Sequence, residues 1–163
     1  MESLANSPRI TQTFWNTFQA TLSHDASAFF YEAFHFDDNE PSANSLCALV
    51  LSGQKRATAG LLWAHEHENK PLPTVGALSV VTDWPGTPRC VIESTEVKVV
   101  PFDRVTERFA AIEGEADGSL KYWREVHWEC FSRECARIGR EPVMEMPVVC
   151  ETFRVVYPSR DSD

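Results

Sequence analysis

Ala77-Leu78-Ser79-Val80-Val81-Thr82, then Asp83-Trp84-Pro85-Gly86-Thr87-Pro88, then Arg89 and Cys90-Val91-Ile92-Glu93-Ser94-Thr95-Glu96-Val97-Lys98-Val99-Val100 is the stretch that decides the fold class. Its two flanks are rich in Val, Ile and Thr, whose branched Cβ atoms suit a pleated strand. Two prolines and a glycine between them interrupt any ladder, so the chain must turn back. The stretch reads as an antiparallel hairpin. Upstream, Phe14, Phe18 and Leu22 recur at four-residue spacing and predict an amphipathic helix over about Ile10 to Leu22. Ala28 to Phe36 is dense in aromatics, and Asp37-Asp38-Asn39-Glu40-Pro41 then opens a second helix that runs to Ser52. Gly53 stands where a left-handed C-terminal cap belongs. Ala57 to Trp63 predicts a buried strand. Downstream of the hairpin, Asp103 is the expected N-cap of a short helix ending near Ile112. The acidic loop Glu113-Gly114-Glu115-Ala116-Asp117-Gly118 feeds the longest helix, capped by Ser119 or Asp117 and ended by Gly139. Leu120, Trp123, Val126, Cys130, Phe131, Cys135 and Ile138 form its expected buried stripe, and a last strand runs from about Val148 to Tyr157.

That order gives an α+β domain on a mostly antiparallel sheet, and so few, long strands predict a small curled barrel rather than a sandwich. A chain of 163 residues and 18.4 kDa holds one such domain. With 43 % hydrophobic and 24 % charged residues, disordered, collagenous and coiled-coil classes are excluded. Apolar runs such as Leu46 to Leu51 are far shorter than the roughly 20 residues of a membrane helix. Met1 to Arg9 lacks the pattern of a secretory leader. Five cysteines with no C-x-x-C pair fit reduced thiols, so a cytoplasmic location is expected. The net charge of -9 argues against non-specific binding of long nucleic acid. Residues 54 to 100 are nevertheless balanced, with five basic and five acidic side chains, which leaves room for a local anion site.

Three groups can carry chemistry. In Gly53-Gln54-Lys55-Arg56-Ala57-Thr58 the glycine allows a bend that brings Lys55 and Thr58 to one site, although a regular strand would point them to opposite faces. A lysine held out of water has a lowered pKa and can activate a hydroxyl; a solvated turn lysine is the plain alternative. Glu113, Glu115 and Asp117 can serve as general acid or base, hold a hard cation, or simply complement a helix dipole from solvent. Arg124, Trp128 and Ser132 form one row of the long helix, suited to stacking a base, unless the first helix covers Trp128. His65, His67, His127 and the cysteines lack zinc-ligand spacing, and no Walker loop, G-x-G-x-x-G or G-x-S-x-G occurs. Neither a metal nor a cofactor is expected.

Gly53 to Thr58, Val75-Gly76, Glu113-Gly114-Glu115-Ala116-Asp117, Ser119-Leu120, Tyr122-Trp123-Arg124, Phe131-Ser132-Arg133-Glu134 and Pro147-Val148-Val149-Cys150-Glu151 together resemble the ASCH domain family. The resemblance runs from about Phe36 to Tyr157 and is closer to the longer bacterial members. It implies a PUA-like β-barrel with flanking helices, whose cleft beside the G-x-K-x-x-T turn receives RNA or a nucleoside. The corresponding division of the chain is an N-terminal helix packed on the domain (1–27), the ASCH domain (28–158) and a disordered tail (159–163).

Some small members are amidohydrolases that remove the acyl group from N4-acylcytidines with a lysine, a threonine and a glutamate. By motif position these are Lys55, Thr58 and Glu113, with Glu115 two residues away and equally able to face the cleft. A longer member is described as a ribonuclease, which points to Lys55 and Ser132. The charge favours a neutral modified nucleoside, with Lys55 assisting deprotonation of Thr58 and Glu113 passing the proton to the departing amine. The alternative is a single-stranded RNA groove in which Arg56, Arg124, Trp128 and Arg133 share a face with Lys55. The first helix is left open as a lid or a homodimer contact.

Overall fold

The computed structural model describes residues 2–159. It runs α1 (Arg9–Gln19), β1 (Phe30–Phe34), α2 (Glu40–Ser52), β2 (Ala57–Leu61), α3 (Leu62–His67), β3 (Leu78–Thr82), β4 (Pro88–Pro101), α4 (Glu107–Glu113), α5 (Leu120–Ile138) and β5 (Pro147–Tyr157). The five strands form one sheet in the order β1-β3-β4-β5-β2. The hairpin lies at its centre, with Leu78 opposite Glu93 and Val80 opposite Val91. β4 and β5 make the longest ladder, from Val91 opposite Tyr157 to Pro101 opposite Pro147. Only β1 runs parallel to its neighbour, β3.

The fold class is the expected α+β one, but the sheet is not a closed barrel. β1 and β2 are its two edges, and no ladder joins them among the described residues. The sheet curls without closing, helped by register shifts between Ser94 and Glu96. Residues of both edges, Tyr31 and Glu32 from β1 and Thr58 and Gly60 from β2, line one cavity of about 140 Å³. Side chains occupy the gap where a closing ladder would need backbone. Lys70 pairs with Glu32, and the Tyr31 hydroxyl donates to Pro71 O at 2.6 Å.

Two local readings also change. The strand predicted to Trp63 stops at Leu61, where pairing with β5 ends at Val148, and Leu62–His67 turns into α3. Leu, Ala and Glu favour that helix, and a short apolar run cannot by itself distinguish the two periods. Asp103 lies in a 3-10 turn, Phe102–Arg104, and it is Thr106 whose hydroxyl accepts from Phe109 N at 3.1 Å to cap α4. The expected caps at Gly53 and Gly139 are present, Ser119 rather than Asp117 caps α5, and within the breaker cluster Asn39 caps α2.

Three apolar clusters hold the layers together. α5 and α4 bury Trp123, Phe131, Cys135 and Ala110 against Leu61, Val148 and Cys150. α2 covers Val81, Cys90 and Ile92 with Cys47 and Val50. Trp15 and Phe18 of α1 pack on Leu78, Val80 and Val91. No helix among the described residues is long and apolar enough to cross a membrane. Most of the predicted tail, residues 160–163, lies outside the described residues.

One close approach fixes the acidic loop to the turn before β2. Gly114 ends α4 with φ 69°, and a Cβ there would stand 2.1 Å from Gln54 O. Arg56 N donates to Ile112 O at 3.0 Å and Gln54 Nε2 to Gly114 O at 2.8 Å. Gly114→Ala should therefore cost about 2–4 kcal/mol in urea unfolding, from backbone overlap added to positive-φ strain. Gly118→Ala, also at positive φ but with its Cβ position 3.7 Å from any neighbour, should cost only about 1–2 kcal/mol. Equal losses would mean that the Gln54 contact is easily relaxed.

Candidate functional site

The turn that follows the Gly53 cap sends Lys55 inward and Arg56 outward. Lys55 is only 1 % exposed, among the most buried side chains of the protein. Its ammonium has three protons and three acceptors: Ala57 O at 2.8 Å, Glu115 Oε1 at 2.9 Å and Glu113 Oε2 at 3.2 Å. The Phe36 ring covers it at 5.2 Å. Burial alone would lower its pKa, but the two carboxylates more than reverse that and hold it above the ordinary value. The expected proton-accepting lysine is therefore corrected. Lys55 is a fully bonded cation.

Glu113, at the last turn of α4, accepts from three groups. Besides Lys55, Trp123 Nε1 donates to its Oε1 at 2.9 Å and His127 Nε2 lies 3.3 Å from the same oxygen. Burial opposes its charge, yet Lys55, His127 and Trp123 outweigh it and hold the carboxyl far below the usual range. His127 faces two acceptors, since its Nδ1 lies 2.8 Å from Trp123 O, a carbonyl that can only accept. Both nitrogens must then carry protons. The raised pKa of His127, driven chiefly by Glu113 against the effect of burial, agrees with an imidazolium. Its ring stacks on Trp123 with centroids 4.1 Å apart.

Glu115 differs from Glu113. It keeps some exposure, 15 % of its side chain, and burial followed by the nearby Glu113 charge raises its pKa despite Lys55. Two anions and two cations thus form a neutral quartet under a cleft of about 530 Å³. Thr58, Glu115, His127, Tyr122, Asp37 and Arg133 are among its walls. Glu113, Glu115 and His127 have the proximity of a metal-ligand set, with ligand atoms within 4.8 Å of one another. The position between the two carboxylates is taken by the Lys55 ammonium, which a metal ion would have to displace.

The expected site residues therefore separate into three groups. Thr58, Glu113, Glu115 and Arg133 meet at the cleft, with Lys55 beneath its floor. Arg56 is exposed and lines a different groove. Arg124, Trp128 and Ser132 lie outside the cleft walls. Arg124 donates to Asp103 O at 3.3 Å, Trp128 packs on Phe102 at 5.6 Å between ring centroids, and the Ser132 hydroxyl is buried without a hydrogen-bond partner. The aromatic that covers Trp128 belongs to the 3-10 turn, not to α1. Sequence reading missed His127 and Trp123 as site residues. Their four-residue spacing on α5 was the available signal, obscured because Trp123 reads as core and His127 was weighed only as a metal ligand.

A family model described as ASCH domain matches residues 32–157. The chain is similar to an ASCH domain from Lactobacillus crispatus JV V101, with 39 % identity and a TM-score of 0.88 over 93 % of this chain and 97 % of that one. It is also similar to protein EF3133 of Enterococcus faecalis V583, with 30 % identity and a TM-score of 0.79 over 91 % and 88 % of the two chains. No curated protein matches the chain.

Removing one member of the buried quartet should be costly. Lys55→Met leaves two carboxylates without their cation and should lose about 3–5 kcal/mol in urea unfolding. His127 makes a pH-dependent contribution. Because its folded pKa lies above the ordinary 6.5, its stabilisation is fully present below pH 6.5 and disappears as pH rises through the folded value. Comparing unfolding of the native protein and His127→Gln across pH 5 to 9 should show their difference shrinking as pH rises; a constant difference would exclude the imidazolium.

Proposed function

The chain belongs to the ASCH domain family, and we propose that it hydrolyses an acylated amine of a pyrimidine nucleoside, of the N4-acylcytidine type, in the cleft above Lys55. One observation carries this reading. Thr58 and Glu115 open onto the same cleft, above a buried ammonium bonded both to Glu115 and to the carbonyl of the peptide that precedes Thr58. The cleft is of a size to hold one small organic ligand. Its walls carry the carboxylates of Asp37, Glu113, Glu115 and Glu129 against Arg133 and His127, an arrangement that suits an uncharged nucleoside better than a phosphate chain.

In this mechanism the Thr58 hydroxyl attacks the acyl carbonyl and passes its proton to the Glu115 carboxylate. Glu115 then protonates the departing amine as the carbon–nitrogen bond breaks. A water then gives a proton to Glu115 and adds its hydroxide to the acyl carbon, and Glu115 returns that proton to the Thr58 oxygen as the ester bond breaks, releasing the acid and restoring both residues. Glu115 is suited to this exchange because its raised pKa lets it both accept and return a proton. Glu113, a buried anion with three donors, is suited instead to holding Lys55 and His127 in place. Lys55 acts through Glu115 and the Ala57 carbonyl, a positioning role rather than proton transfer.

Ultraviolet monitoring of N4-acetylcytidine with the pure protein tests this directly. Turnover should persist with chelator and fall by about a hundredfold or more in Thr58→Val and in Glu115→Gln. The rate should rise with pH through the Glu115 pKa, above the ordinary 4.5, because only the carboxylate accepts the Thr58 proton. Absence of turnover by a folded sample would overturn the proposal.

A further inference from the structure

The small cavity between the two sheet edges meets the cleft at Thr58. Thr58 and Ala59 line both hollows, so edge strand β2 is a partition with the cleft on one side and about 140 Å³ of space on the other. Register decides what shares the Thr58 face of that strand. Across β2 and β5, Thr58 pairs with Glu151 and Gly60 with Val149. Directly opposite residues of an antiparallel pair present their side chains on one face, with Cβ atoms about 5 Å apart. Glu151 therefore shares a face and a cavity with the proposed nucleophile, although it belongs neither to the cleft walls nor to the Lys55 quartet.

The charges in this cavity do not balance. Glu32 has the Lys70 ammonium as its partner. Glu151 has only the Ser94 hydroxyl, which donates to its Oε1 at 2.6 Å, and it forms no ion pair among the described residues. Burial raises its pKa against the effect of Ser94. The Tyr31 hydroxyl is turned to Pro71 O and so donates to neither carboxyl. His65 lines the same cavity, and its Nδ1 is buried without a hydrogen-bond partner. Burial holds that imidazole below its ordinary pKa, which leaves it neutral and able to accept. The cavity thus has acceptors to spare and lacks a cation. A carboxylate kept from water costs free energy until a counter-charge or enough donors meet it.

We propose that this cavity receives a primary ammonium group, and that the acyl group removed at Thr58 is accordingly a small aminoacyl group whose ammonium binds Glu151 and His65. The second half rests on the hydrolytic reading of the cleft; the first does not. An ammonium suits the lining better than a metal ion does. Its three protons reach acceptors at separate positions, whereas a metal needs ligand atoms gathered round one point. Among the described residues only Glu113, Glu115 and His127 are gathered in that way. Size narrows the ligand further. At about 30 Å³ for each water-sized group, the cavity takes about four or five non-hydrogen atoms. A glycyl or alanyl group fits, and a long or aromatic acyl group does not.

Isosteric substrates provide the test. N4-glycylcytidine and N4-propionylcytidine differ only in an ammonium for a methyl group. At pH 7, below the ordinary α-ammonium pKa of about 7.7–8.0, the glycyl-to-propionyl ratio of kcat/KM should fall at least tenfold in Glu151→Gln. That variant keeps the acceptor for Ser94 and loses the charge. Comparing ratios removes the intrinsic activation of the amide by its ammonium, which both proteins share. The control Glu96→Gln, on the outer surface, changes net charge equally and should leave the ratio as in the native chain. In parallel, glycinamide titrated into the native chain should shift the Thr58 and Gly60 amide resonances, and propionamide should not. This arm decides the matter if thermal unfolding shows that Glu151→Gln does not fold. Turnover with an unchanged ratio, or equal shifts by the two amides, would overturn the proposal and leave the hydrolytic reading standing. Glycinamide binding without turnover of any acylcytidine would overturn that reading and the aminoacyl assignment, and leave the ammonium site. Absence of both would overturn both.

Discussion

The Lys55 ammonium, enclosed by Glu113, Glu115 and the Ala57 carbonyl, is the interaction on which the arrangement of this protein depends. It joins segments nearly sixty residues apart, the turn that leads into β2 and the end of α4. Through Glu113 it extends to Trp123 and His127, and so to the long helix α5. A charge so deeply buried persists only if every proton finds an acceptor and its counter-charges are themselves satisfied. Here all three protons are bonded, and Glu113 receives three donors. The result is a neutral quartet that can be buried as a unit, although none of its four members could be buried charged and alone.

Backbone geometry lets the quartet form. The left-handed cap at Gly53 turns the chain out of α2, and Gly114 lets the acidic loop approach Gln54 more closely than any side-chain-bearing residue allows. With Arg56 N bonded to Ile112 O, the two segments become a fixed corner whose carboxylates point at Lys55. The curled sheet supplies the rest. Thr58 on edge strand β2 has one cavity shared with β1 on one side and the cleft on the other, because the edges approach without forming a ladder.

The same corner separates two surfaces of opposite character. Successive residues at its two ends, Lys55 with Arg56 and Ile112 with Glu113, face opposite ways. This alternation places Glu113 at the cleft and Arg56 at the groove. A net charge of -9 therefore describes neither surface, since it averages an acidic cleft with a basic groove.

Local chemistry determined much of the fold in advance. The Pro and Gly residues of the hairpin, the N-caps Asn39 and Ser119 and the C-cap glycines act through neighbouring atoms, so they could be read without the rest of the chain. The G-x-K-x-x-T turn and the acidic loop were likewise visible as motifs. Whether Lys55 was a depressed base or a retained cation depended on two carboxylates distant in sequence, and only their meeting decided it. The same holds for the greater exposure of Glu115 than of Glu113 at the cleft, and for His127 as a buried cation. Trp128 and Arg124 share a helical row with Ser132, but Phe102 and Asp103 O determine what that row meets. Spacing along a chain fixes which residues share a face; long-range packing alone fixes which charge, ring or solvent that face receives.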